Sequence, residues 1–229
     1  MRRVVVYAGT RAVYRNMVIA AKSLLRHTRV DRVWFLIEDD EFPEELPDVI
    51  RMKNMIAQKW FPMNGANYHT QWTYMSLIRL ALPEILRDET RALWLDTDTI
   101  VEQDIGELFD IDLCGNYVAM VEEPVRSKVP FVYHNSGVLL MDLSRVRRDG
   151  MHWKWIHKVN TEPLTAPDQD VINILCQGEI LTIGPEWNSA GHITQDAAEP
   201  YIRHYGGSLK WVEPEIFGFY EKSQWRVKQ

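Results

Sequence analysis

Residues 4–7 (Val-Val-Val-Tyr) form an apolar run that is short and bulky, which predicts a buried strand. Gly9 and Thr10 then turn the chain. From 16 to 26, Met17, Val18, Ala20, Ala21, Leu24 and Leu25 recur at helical spacing, and Arg26 and His27 follow where a helix carboxyl end favours positive charge. Residues 33–37 predict a second strand, and the acidic stretch 38–41 a solvated loop. This early strand–helix–strand alternation argues for a Rossmann-like α/β sheet, mixed but mostly parallel and flanked by helices. Residues 39–70, with Pro43, Pro47, Pro62, Asn64-Gly65 and Asn67, are less regular. A helix is expected over 72–86, apolar at Leu77, Ile78, Leu80, Ala81, Ile85 and Leu86, with Pro83 kinking or breaking it. Strands are expected at 92–95, 118–121 and 138–141, and one helical turn at 104–109. Residues 168–176 predict a helix with Asp168 near its start and Gly178 just past its end. The tail from Ile180, rich in Trp, Gly and Pro, reads as irregular structure that wraps a site. No repeat, low-complexity tract or linker interrupts the pattern, so one domain over 1–229 is the simplest organisation.

The chemistry concentrates at the end of the 92–95 run, where Asp96 and Asp98 follow Leu95. Open α/β sheets bind ligands at the carboxyl ends of their strands. Two hard oxygen donors one residue apart can hold one divalent cation against a phosphate. The balance of 26 Lys and Arg against 32 Asp and Glu gives a net charge of −6, which argues against generic polyanion binding and a nucleic-acid partner. An anionic substrate would need a metal or a local basic patch. No apolar run reaches the ~20 residues that span a bilayer, and the short run after Met1-Arg2-Arg3 reads as a first strand rather than a leader. The two cysteines, Cys114 and Cys176, read as reduced core thiols, which suggests a cytoplasmic protein.

Further segments align with this one. They are His134-Asn135-Ser136-Gly137 running into Val138–Asp142, Asp168-Gln169-Asp170, then Trp187-Asn188, and His204-Tyr205-Gly206-Gly207-Ser208-Leu209-Lys210-Trp211. With Arg79-Leu80 and Pro83-Glu84-Ile85-Leu86 ahead of Asp96, this order resembles glycosyltransferase family 8, the retaining enzymes of GT-A fold, over nearly the whole chain. The resemblance implies that Asp96, Asp98 and His204 bind Mn²⁺ (or Mg²⁺) bridging the donor diphosphate. It implies that Lys210 contacts that diphosphate and that Arg79 clamps sugar and phosphate. Asn135, Asp168 and Gln169 would surround the donor sugar, with Gln169 and Asp168 as the catalytic pair, and Thr97, Ser136 and Gly207 would also bind the donor. Thr10 and Tyr14 resemble the nucleobase site. The chain departs from the family in having Thr10-Arg11-Ala12-Val13-Tyr14 where many members carry Asp-x-Asn-Tyr. It also lacks a proline between Lys210 and Trp211, and has Leu77 where a tyrosine is usual.

The implied function is transfer of glucose or galactose from a UDP-sugar to a glycan or glycolipid acceptor, in the cytoplasm or at the inner face of a membrane. Because the amide of Gln169 is a poor nucleophile, same-face attack is expected, with the departing phosphate taking the acceptor proton. A haloacid dehalogenase-type phosphatase also places Asp-x-Asp at a strand end, but its motif continues to a threonine where this chain has Ile100. A non-catalytic relative that binds a nucleotide or glycan is the remaining alternative.

Overall fold

The computed structural model describes residues 1–124, 129–206 and 214–229. Strand β1 (Val4–Ala8) leads through a 3-10 turn at Arg11–Val13 into helix α1 (Tyr14–His27). Strands β2 (Arg32–Ile37) and β3 (Ile50–Asn54) follow. Next come α2 (Thr73–Leu77), a 3-10 turn at Ile78–Ala81, α3 (Leu82–Ile85), β4 (Arg91–Leu95), β5 (Thr99–Val101) and α4 (Gly106–Asp110). The rest comprises β6 (Val118–Glu122), β7 (His134–Asp142), α5 (Leu143–Arg148), α6 (Met151–Thr161), α7 (Pro167–Leu175), β8 (Ile180–Ile183), β9 (Ile202–His204) and α8 (Pro214–Lys222).

Seven strands form one sheet in the order β3-β2-β1-β4-β7-β6-β8, and β5 pairs with β9 in a separate antiparallel ribbon. Within the large sheet only β7 runs against its neighbours. Residues 4–8 of β1, 92–95 of β4 and 138–141 of β7 are apolar throughout because both faces of the sheet are covered there. On β1, Val4 and Val6 pack into one core and Val5 and Tyr7 into the other. On β4, Ala92 and Trp94 face the first core, Leu93 and Leu95 the second. Helix α1 closes the second face, while the 72–86 region, α6 and α7 close the first.

Several expectations change. Strand β3 lies at the sheet edge with Arg51, Met52 and Lys53 exposed, so it lacks the apolar run that marks a buried strand; its charges discourage pairing with another chain. Helices α5 and α6, in a stretch dense with charge, were equally unmarked. The 72–86 helix is three short pieces: Pro83 sits in the first turn of α3, where its missing N–H costs nothing. Thr73, at φ 60°, bends the chain into α2. Strand β7 begins at His134, so Asn135, Ser136 and Gly137 belong to the strand and not to a turn before it. The tail contains β8, β9 and α8 in place of wholly irregular structure. Cys114 is exposed, not a core thiol, whereas Cys176 is buried and its thiol is pushed up to about 12 by burial.

Candidate active site

A cavity of about 1040 Å³ opens across the ends of the adjacent strands β1, β4 and β7. That exceeds the several hundred Å³ usual for a single small ligand. Ala8, Gly9, Thr10 and Val13 line its β1 end, and Asn135, Ser136, Asp168 and Gln169 its β7 end, with Asp96, Thr97, Asp98 and His204 also in its wall.

The acidic pair is placed by a turn. The Asp96 N–H donates to the Gly137 carbonyl at 2.8 Å, which extends the β4–β7 ladder one residue past the strand. The backbone N–H and Oγ1 of Thr99 both donate to the Asp96 carbonyl, at 3.2 and 2.7 Å, and close the chain over residues 96–99. The β5–β9 ribbon then pairs Thr99 with His204. His204 Nε2 lies 3.2 Å from Asp98 Oδ1 and 3.9 Å from Asp96 Oδ2, and one ligand atom of each residue lies within 4.8 Å of the others. Burial opposes the imidazolium, but Asp98 and Asp96 outweigh it and raise the His204 pKa. Such closely set anionic oxygens with an imidazole nitrogen could hold a divalent cation.

The histidine is oriented by a directed chain of hydrogen bonds. The Glu123 carboxylate can only accept, and it takes Asn135 Nδ2 at 2.9 Å. That leaves Asn135 Oδ1 to accept from Asn188 Nδ2 at 2.9 Å. Asn188 Oδ1 is then the acceptor for His204 Nδ1, also at 2.9 Å. Nδ1 therefore keeps a proton, and the Nε2 proton that faces Asp98 is the one that must leave for Nε2 to bind a cation held by the two aspartates. Gly137 makes room: a Cβ there would stand 2.2 Å from His204 Cε1.

Arg79 braces the β7 side. Only 3% exposed, it donates to the Ser136 carbonyl (2.7 Å), Ser136 Oγ (2.9 Å), the Ser76 carbonyl (3.0 Å) and Asp96 Oδ1 (2.8 Å). Its Nε is 3.1 Å from Asp168 Oδ2. At most one N–H is left for a ligand, so the guanidinium chiefly holds the two aspartates in place. Burial pushes the Asp168 carboxyl up against the pull of Arg79, and Ser136 Oγ donates to it at 3.0 Å. Asp168 does not cap α7. Its neighbour Asp170 does the equivalent work, accepting from the N–H groups of Thr165 and Ala166, each at 2.9 Å. The Gln169 amide is bonded at both ends, Oε1 to the Ser136 N–H and Nε2 to Glu123, each at 2.9 Å.

The structure thus gathers Thr10, Arg79, Asp96, Thr97, Asp98, Asn135, Ser136, Asp168, Gln169 and His204 around one cavity. Tyr14 is not brought there. Its ring is buried against Phe42, and its hydroxyl accepts from the Glu38 N–H and donates to Asp39, which with burial pushes it up to about 12. Val13 takes the place at the cavity wall. The acidic loop is correspondingly organised rather than merely solvated, with Asp39 also paired to Arg11. Gly207 and Lys210 lie outside the described residues. Sequence reasoning missed Glu123, although an acid at the end of the 118–121 run is the signal that singled out Asp96. It also gave Asn188 no role, and overlooked Trp94, whose Nε1 donates to Asp96 Oδ1 at 2.7 Å.

Comparison with known proteins agrees with this geometry. The family model described as Glycosyl transferase family 8 matches residues 4–212. Glycosyltransferase GlyE of Streptococcus pneumoniae is 28% identical over 199 residues, covering 82% of this chain and 48% of that protein. General stress protein A of Bacillus subtilis is 30% identical over 193 residues, 68% of each. The chain therefore spans about half the length of GlyE and about two thirds of the Bacillus protein. The crystal structure of galactosyltransferase LgtC in complex with donor and acceptor sugar analogs superposes with a TM-score of 0.75 at 21% identity, over 99% of this chain and 98% of that one. With a family match over nearly its whole length and a fold shared with that structure, this chain belongs to glycosyltransferase family 8 and has the GT-A fold.

Proposed function

We propose that the chain, as one domain over 1–229, transfers glucose or galactose from a UDP-sugar to a glycan or glycolipid hydroxyl with retention at the anomeric carbon. The observation that carries this is the Asp96–Asp98–His204 cluster in a cavity that extends from β1 to the polar wall of β7 and α7. The nucleoside would lie at the β1 end, the diphosphate at the cluster and the sugar against Asn135, Ser136, Asp168 and Gln169. A divalent cation held by the cluster would offset the charge that develops on the departing diphosphate. Lys210 would add to that, by the family resemblance. The cytoplasm, or the inner face of a membrane, is the proposed location; among the described residues no helix is long and apolar enough to cross a membrane.

In the reaction the bond from the anomeric carbon to the phosphate oxygen breaks through an oxocarbenium-like transition state. The acceptor oxygen bonds to the same face of that carbon, and its proton passes to the departing phosphate oxygen. Gln169 and Asp168 would stabilise the positive charge on the sugar rather than bond to it. Both ends of the Gln169 amide are bonded and Asp168 is tied to Arg79 and Ser136, which supports a positioning role for the two side chains. A glycosyl adduct found on either residue by mass spectrometry would overturn the same-face route.

The test is incubation of the protein with Mn²⁺ and a panel of nucleotide sugars, with free nucleoside diphosphate as the readout. Release from a uridine-linked sugar, abolished by EDTA and in Asp98→Ala, is expected. No release from any donor, together with no Mn²⁺-dependent nucleotide binding, would sink the proposal.

A further inference from the structure

The wall of the cavity contains an amide that the hydrogen bonds above leave unused. Asn16, in the first turn of α1, is 4% exposed and lines the β1 end of the cavity. Its carboxamide has no hydrogen-bond partner among the described residues, whereas Asn135, Gln169 and Asn188 are all bonded. Its nitrogen and oxygen open onto the cavity, which leaves both free to meet a ligand there. Nothing in the helix requires it. Asparagine is a poorer helix former than leucine or alanine, and α1 is otherwise packed with apolar side chains.

The surroundings indicate what the amide waits for. Ala8, Gly9 and Val13 make the adjoining wall apolar, and Thr10 adds a hydroxyl-bearing side chain beside them. A Cβ on Gly9 would fall 2.2 Å from Val13 Cγ2, so the missing side chain is what lets the 3-10 turn close onto β1. The site thus offers apolar contact for a flat ring, with one group at its edge that can donate and accept at once. It lies one strand away from Asp96, since β1 neighbours β4. That is the side on which a nucleoside would lie if its diphosphate sat at the acidic cluster.

We infer that Asn16 pairs with the imide edge of the donor's uracil, accepting from the ring N3–H and donating to the neighbouring carbonyl. The inference rests on the proposed UDP-sugar reading. It assigns base recognition in this chain to a hydrogen-bonding amide with aliphatic packing from Val13, in place of a covering aromatic ring.

The test is calorimetric titration of the full chain with Mn²⁺ and one of three ligands: UDP, its N3-methyl derivative, or inorganic pyrophosphate. Wild type is compared with Asn16→Ala. Wild type should bind UDP about tenfold more tightly than N3-methyl-UDP. Asn16→Ala should bind both at the weaker level, and pyrophosphate should bind equally to both proteins. Asn16→Leu should keep the wild-type melting temperature, because the amide makes no bond within the described residues. The inference is overturned if Asn16→Ala keeps wild-type affinity for UDP, or if N3-methylation costs the same in both proteins. A lower melting temperature in Asn16→Leu with unchanged UDP binding in Asn16→Ala would also overturn it and would make Asn16 a structural residue. Pyrophosphate binding by a wild type that discriminates no nucleotide would refute the UDP-sugar reading itself, a different failure from loss of the Asn16 effect alone.

Discussion

Gly137 and Glu123 act on the metal cluster without belonging to it. A methyl group at 137 would overlap the His204 ring, so Gly137→Ala must push the imidazole away from Asp96 and Asp98. The expected result is a Mn²⁺ affinity about 10- to 100-fold weaker, the usual cost of disturbing a ligand's orientation. Titration calorimetry would measure it, with circular dichroism to confirm the fold; unchanged affinity would refute the cluster as the metal site. Glu123 and the Gly137 N–H, which donates to Asn135 Oδ1 at 2.9 Å, together set the direction of the bonds that run through Asn135 and Asn188 to His204. Glu123→Leu removes one of the two groups that fix this order and leaves Asn135 Nδ2 without its acceptor, so it should weaken Mn²⁺ binding by up to about tenfold, less than Gly137→Ala. Glu123→Gln can still present an oxygen to Asn135 and should lose less. Equal loss in the two variants would show that size or charge, not hydrogen-bond direction, is what matters at 123.

At the scale of elements, the site depends on how α7 meets β7. Asp170 ties them: one carboxylate oxygen takes the N–H groups of Thr165 and Ala166 at the helix start, and the other takes the Tyr133 hydroxyl just before β7. Asp170→Ala would leave donors without partners in the interior. It should destabilise the protein by about 2–4 kcal/mol, read by urea or thermal unfolding. It should also lower transfer activity, because Gln169 and Asp168 ride on the same turn. Stability within about 0.5 kcal/mol of wild type would mean that the contact contributes little. The same scale explains which elements were legible. Strands β1, β4 and the latter part of β7 are covered on both faces, and continuous apolar runs show that plainly. Strand β3 at the edge and the charged helices α5 and α6 show mixed patterns, because only part of each is buried. Pro83 marked a break in the 72–86 region, but not that the turn ahead of it would tighten to 3-10 geometry.

For the molecule as a whole, Mn²⁺ and UDP should act as ligands of the folded state only, since the cluster is assembled from residues 96, 98 and 204. At about 100 times the dissociation constant such a ligand adds about 2.7 kcal/mol, or roughly 5–10 °C in melting temperature for a chain of this size. The rise should vanish in Asp98→Ala and on chelation. A rise that survives in Asp98→Ala would place the metal elsewhere.

The sequence alone determined the sheet's interior strands, the acidic pair at the end of β4 and the family to which the order of motifs belongs. These are local features: a strand buried on both faces must be apolar throughout, and a strand-end Asp-x-Asp needs only its own neighbours. What tertiary structure decided is long-range. Tyr14, with a ring suited to cover a base, is turned into the core by Asp39 and Phe42, and Val13 and Asn16 face the cavity instead. Arg79, which could have been a solvated helix residue, is buried because Asp96, Asp168 and Ser136 converge on it. The line from Glu123 to His204 joins residues far apart in the chain, through the β6–β7 and β5–β9 pairings and the packing of residue 188 between them. No local pattern encodes such a line, because each bond depends on strand register and on an orientation that only the packed neighbours fix.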